Sequence, residues 1–217
     1  MISHKYKCIF VHIPKTGGSS IENMIWSARD KTPENLWMGF VSEYHNEYQT
    51  GGLQHLLANQ IKNKVGSLVF KKYFKFAMVR DPFEKLLSQY RYMSKRKDLR
   101  NFIGMTENTC LNGYLDLITR KLHVQWEQQY RFILDDNGEK LVDSILRFEN
   151  FESEVESTLE HLGVNYAHIR HDNKSPVNYN GCSYERDSYE RVAELYRNDF
   201  LIFDYSCPRF ECSKYAL

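Results

Sequence analysis

Cys8-Ile9-Phe10-Val11-His12-Ile13-Pro14-Lys15-Thr16-Gly17-Gly18-Ser19-Ser20-Ile21 is the stretch whose reading decides the fold. Ile9, Phe10, Val11 and Ile13 form an apolar, partly β-branched run of the kind that makes a buried strand. Pro14 ends it, because proline has no N–H to give to a ladder. Gly17 and Gly18 allow a tight turn and close approach of backbone to a ligand. Ser19 and Ser20 are residue types that cap helices. Ile21, Met24, Ile25 and Ala28 then recur at helical spacing. Strand, glycine turn and helix start together make an anion site, with N–H groups and the positive end of the dipole facing the ligand. Lys15 adds a full charge there, and Thr16, Ser19 and Ser20 add hydroxyls.

The pattern repeats downstream. Phe74-Lys75-Phe76-Ala77-Met78-Val79 reads as a second strand, and Asp81-Pro82-Phe83-Glu84 as a capped helix start with proline at the first helical position. Phe83, Leu86, Leu87 and Tyr90 make the buried stripe of that helix. Arg80 therefore stands where a strand ends and a helix begins, the edge at which open α/β sheets bind ligands. Ser88 lies two turns along the helix from Asp81. A guanidinium fork and a hydroxyl so placed can hold a second phosphate. Leu141 to Phe148 reads as a third strand. The helix after it carries Phe151, Val155, Leu159 and Leu162, with Asn150 as its cap and Gly163 as its stop.

Weaker patterns predict a helix after Leu53, one over Phe102 to Leu122, and a last one through Tyr189, Val192, Ala193 and Tyr196. Lys95-Arg96-Lys97 closes the helix after Arg80, as a solvated face or as part of a groove for an anionic acceptor. Asp30 to Gly52 is polar and irregular, and Asp136-Asn137-Gly138 is a turn. Strands alternating with helices predict an α/β fold with a parallel sheet flanked by helices on both faces. No repeat or linker interrupts residues 1–217, so a single domain is expected.

Lys+Arg 29 against Asp+Glu 28 gives a formal charge of +1, which points to no nucleic-acid partner. The 5 cysteines show no zinc-ligand spacing and are expected to be reduced thiols. No apolar leader and no stretch able to span a bilayer is evident, so the expected location is cytoplasmic.

Lys15 precedes the glycines, whereas the nucleotide P-loop places its lysine after them, and G-x-G-x-x-G is absent. The order Pro14-Lys15-Thr16-Gly17-Gly18-Ser19-Ser20 instead resembles the 5′-phosphosulfate loop of sulfotransferases, most closely family 2, which includes carbohydrate sulfotransferases. Arg80, Asp81-Pro82 and Ser88 resemble the 3′-phosphate motif of the same family. Further similarity lies at Gln129, at Arg147-Phe148-Glu149-Asn150-Phe151 and at Asn173-Lys174-Ser175.

The resemblance implies a P-loop-like fold and transfer of a sulfuryl group from 3′-phosphoadenosine 5′-phosphosulfate (PAPS), leaving PAP, without a metal. It implies that Lys15, Thr16, Gly17, Gly18, Ser19 and Ser20 hold the 5′-phosphosulfate and that Lys15 stabilises the leaving group. Arg80 and Ser88 would hold the 3′-phosphate, and Lys174 and Ser175 would close over the donor. The implied acceptor is a carbohydrate or glycoconjugate. His12 reads as a core residue. His55, between the two motifs, matches the position of the base in relatives that act on sugar hydroxyls, with Glu43 and Glu47 as carboxylate alternatives. A small-molecule kinase using ATP and Mg²⁺, or a non-catalytic nucleotide-binding module, would share the fold.

Overall fold

The computed structural model describes residues 1–37, 39, 42–49, 52–166, 169 and 185–207. The chain forms two compact units, one of Met1–Arg80 with Gln129–Lys174, the other of Asp81–Gln128 with Ser175–Leu217. The strands are β1 (Ile2–Ser3), β2 (Cys8–Val11), β3 (Phe74–Val79) and β4 (Ser144–Arg147). The helices are α1 (Gly18–Ile25), α2 (Ala58–Val65), α3 (Ser67–Lys72), α4 (Pro82–Lys95), α5 (Lys97–Ile103), α6 (Leu111–Thr119), α7 (Tyr130–Ile133), α8 (Phe151–His161), α9 (Arg186–Leu195) and α10 (Arg197–Ile202).

The first unit holds one sheet in the order β1-β2-β3-β4. The β2–β3 and β3–β4 pairs are parallel, with Phe10 opposite Phe76 and Met78 opposite Leu146. In this sheet β1, too short to register as a sequence pattern, runs antiparallel to β2. Period-2 alternation sends Phe10, Phe76, Met78 and Leu146 to one face. There they pack with Ile21 and Ile25 of α1 and Phe151, Val155 and Leu159 of α8. The alternate residues Ile9, Val11, Ala77 and Val79 are equally buried, as a sheet covered on both faces requires. The expected α/β architecture is thus present. All four strands of the described residues lie in this unit.

The second unit is helical. Phe83, Leu86 and Leu87 of α4 pack with Tyr114, Leu115 and Ile118 of α6, and with Tyr189, Val192, Tyr196 and Phe200. Asp81 caps α4 as read from the sequence, its carboxylate accepting the N–H of Glu84 at 3.1 Å.

Several local expectations differ, among them the third strand, which is Ser144–Arg147 and not Leu141 to Phe148. α1 stops at Ile25 because Trp26 turns to extended backbone, and its indole donates to the Ile2 carbonyl at 2.9 Å. Ala28 is exposed beyond it. Phe102 to Leu122 is not one helix: Gly104, at φ +79°, ends α5, and α6 starts only after Cys110. Asn150 occupies the cap position of α8 but makes no side-chain cap bond. Gly163, at φ +64°, follows that helix as expected. No helix among the described residues is long and apolar enough to cross a membrane.

Candidate active site

The loop between β2 and α1 is closed by its own side chains. Thr16 is buried, and its hydroxyl donates to the Ile13 carbonyl at 2.9 Å. That hydroxyl hydrogen is therefore committed to the loop, and Thr16 can face an anion only through its backbone N–H. Lys15 is half-exposed and held at φ +68°, a left-handed conformation rare for a lysine. Gly17, at φ +84° and ψ +9°, is the helix cap, so α1 starts two residues earlier than a cap at Ser19 would place it. Ser19 is exposed and Ser20 buried within the first turn. That turn carries no acidic residue, which leaves the positive helix end for an external anion.

The two glycines serve different purposes. Besides its positive φ, Gly17 has no room for a Cβ, which would meet Phe148 at 2.9 Å and Phe151 at 3.0 Å. At Gly18 the obstacle is His12, whose ring would lie 2.2 Å from a Cβ.

His12 cannot yield, because it is buried and bonded. Its Nδ1 is 2.6 Å from Oε1 of Glu22, itself buried on α1. Both Glu22 oxygens also accept from Gln54 Nε2, at 2.8 and 3.0 Å, and Oε2 accepts from the Trp37 indole at 3.1 Å. Burial alone would raise the Glu22 pKa. The neighbouring His12 and the hydrogen bonds from His12, Gln54 and Trp37 outweigh it and lower the value to about 2. Glu22 is a carboxylate, an acceptor only, so His12 Nδ1 must carry a proton.

His55 sits on a 3-10 turn, Leu53–His55, and is also buried. Its Nδ1 is 3.0 Å from the His12 carbonyl. A carbonyl only accepts, so Nδ1 bears the proton and Nε2 is the basic nitrogen of the neutral ring. The two imidazoles pack edge to face with centroids 4.6 Å apart. Gln49 fixes the turn from behind by donating to the His55 carbonyl at 3.0 Å.

Arg80 follows β3. Its guanidinium lies over the Phe148 ring, 4.3 Å from the centroid, and Nη1 donates to the Lys15 carbonyl at 3.4 Å. The buried Gln129 amide clamps the Arg80 backbone, accepting its N–H at 2.9 Å and donating to its carbonyl at 2.8 Å. That amide mimics one more ladder partner where the sheet runs out.

The family model described as the sulfotransferase family matches residues 1–206 of the 217. The chain belongs to the sulfotransferase family. No curated protein and no solved structure matches it. The matched span of this sulfotransferase includes the loop, Arg80, Gln129 and His55.

The structure of this sulfotransferase thus gathers Lys15, Thr16, Gly17, Gly18, Arg80 and His55 around the ends of β2 and β3. Ser88 is half-buried on α4, in the second unit. Lys174 and Ser175 lie outside the described residues. Glu43 and Glu47 are exposed, and Glu43 is 3.9 Å from Lys64. Arg96 is engaged at the surface by Asp98, at 2.7 and 3.0 Å, and by the Tyr92 hydroxyl. Glu22, Gln54 and Trp37 escaped the sequence reading. The signal was His12, since a histidine in a buried strand needs a partner.

The Gly18 packing gives a direct test. Gly18→Ala pushes a methyl into a buried ring that cannot move, so it is expected to cost roughly 1–3 kcal/mol of stability. Ser19→Ala, one residue on and exposed, should stay within about 0.5 kcal/mol of the parent. Thermal unfolding of the two variants side by side checks the contrast, and equal stabilities would contradict the packing.

Proposed function

We propose that this sulfotransferase transfers a sulfuryl group from PAPS to a hydroxyl, or an amine, of a carbohydrate or glycoconjugate acceptor. The observation that carries this reading is the Arg80–Lys15 contact, which joins two basic motifs 65 residues apart at one edge of the sheet. PAPS bears two separated anionic groups, and two such motifs are what its recognition needs.

When bound, PAPS supplies an activated sulfuryl group whose departure leaves negative charge on the 5′-phosphate. The N–H groups of Thr16 to Ser19 and the start of α1 face that phosphate. Lys15 neutralises the charge that develops on the bridging oxygen. Arg80, stacked on Phe148 and clamped at its backbone by Gln129, presents its fork to the 3′-phosphate. For Ser88, Lys174 and Ser175 the reading rests on the sequence motifs alone. His55, with its basic Nε2, takes the proton of the acceptor hydroxyl as it attacks. Glu43 and Glu47 are exposed, whereas His55 is buried and bonded to the His12 carbonyl.

Calorimetry with PAP, ADP and adenosine 5′-phosphosulfate tests the donor. The parent enzyme should prefer PAP. Arg80→Ala should weaken PAP by about 2–3 kcal/mol, the scale of a charge-assisted hydrogen bond to phosphate, and leave adenosine 5′-phosphosulfate nearly unchanged. Equal losses for both ligands would remove Arg80 from the 3′-phosphate. Transfer of label from ³⁵S-PAPS to a panel of glycans then addresses the acceptor.

A further inference from the structure

We propose that Glu22 and His12 are positioning residues that hold His55 with Nε2 as its basic nitrogen and tie it to the anion loop. The proposal rests on the reading of His55 as the base. Three connections carry it. The His12 carbonyl takes the Nδ1 proton of His55, which fixes the tautomer. The His12 ring packs on the His55 ring and fills the space beside Gly18, so one side chain touches both the base and the loop. Glu22, on the helix that starts at the loop, holds the His12 ring through Nδ1 and the turn of His55 through Gln54.

Carboxylate chemistry is required at position 22. Every hydrogen bond that Glu22 receives comes from a donor, from His12, Gln54 or Trp37. Both oxygens must therefore accept. A glutamine of the same shape would turn an NH₂ group toward one of these donors, so the His12 ring would have to change tautomer or move, or the Gln54 turn would have to shift. A structural carboxylate that merely stabilised the fold would not govern which nitrogen of His55 holds the proton.

The test uses Glu22→Gln and the milder Gln54→Met, which keeps the carboxylate bonded to His12 and Trp37. Long-range ¹H–¹⁵N spectra of the ¹⁵N-histidine-labelled protein, taken where His55 is neutral, read the tautomer without any activity. The parent should show a single His55 form protonated on Nδ1. Glu22→Gln should show a second form protonated on Nε2. In single turnover with PAPS and acceptor it should lose about 10- to 100-fold in rate, the scale of a displaced catalytic group, while PAP affinity stays within about threefold. Gln54→Met should move in the same direction by less, and it decides the matter if Glu22→Gln does not fold. An unchanged tautomer in a folded Glu22→Gln or Gln54→Met variant overturns the proposal, and so does a parallel loss of rate and PAP affinity. Full activity of His55→Ala would sink the base assignment instead, a result the tautomer measurement does not depend on.

Discussion

His55→Ala is expected to bind PAP as the parent does and to turn over ~100- to 10,000-fold more slowly, the usual contribution of a general base. Donor affinity should survive because the anion loop is closed by Thr16 and by the glycine packing, with His55 beneath it bonded to the His12 carbonyl. The parent rate should fall on the acidic side, since protonation of Nε2 removes the lone pair that accepts the acceptor's proton. In the alanine variant that acidic limb should vanish. His55→Gln tests the chemistry more narrowly: its amide can still donate to the His12 carbonyl, but it has no basic nitrogen, so it should be almost as slow. The measurement is single-turnover rate across pH with PAP affinity alongside. A parent-like rate and acidic limb in either variant would return the search to Glu43 and Glu47.

Lys15→Ala should lower turnover by at least ~100-fold, the cost of removing a group that meets charge developing in the transition state. It should also remain folded. The Lys15 carbonyl that Arg80 contacts belongs to the backbone, and alanine meets the same left-handed strain as lysine. Near-parent turnover in purified, folded Lys15→Ala would dismiss the loop assignment. Lys15→Gly sharpens the test. Left-handed backbone costs a side-chain-bearing residue roughly 1–2 kcal/mol that glycine does not incur, so Lys15→Gly should melt higher than Lys15→Ala while being no faster.

The parallel sheet and the two strand-to-helix turns that carry the proposed anion motifs are legible in the sequence because their signals are local. A β-branched run before Pro14, the helical spacing in α4, and the Asp81-Pro82 start each lie within one turn or strand. Boundaries are legible only where a strong local stop exists. Gly163 marks its helix end, whereas Trp26 cuts α1 short by packing on a strand that has no readable pattern. The cluster beneath the loop could not be read in this way. Its bonds join residues 10, 32 and 43 positions apart, and no periodicity links His12, Glu22, Gln54 and His55. A glutamate on a short helix is by default a solvent-facing residue. Glu22 is buried because a histidine, an indole and an amide already point donors at it. Gln129 was picked out by resemblance, but its task at the backbone of Arg80 follows only from the fold.

The two adjacent glycines have a consequence for how this chain can change over generations. Gly17 is bound to the aromatic pair Phe148 and Phe151 and to its own backbone angle, while Gly18 is bound to the ring of His12. They therefore form two independent constraints that happen to be neighbours. A lineage could exchange Gly18 for alanine only after a smaller residue replaced His12, and that step would also dismantle the wall behind His55. At Gly17 no single change elsewhere suffices, because the backbone angle would persist after both rings had shrunk. Drift at the first glycine is blocked by geometry, and at the second by the histidine behind it.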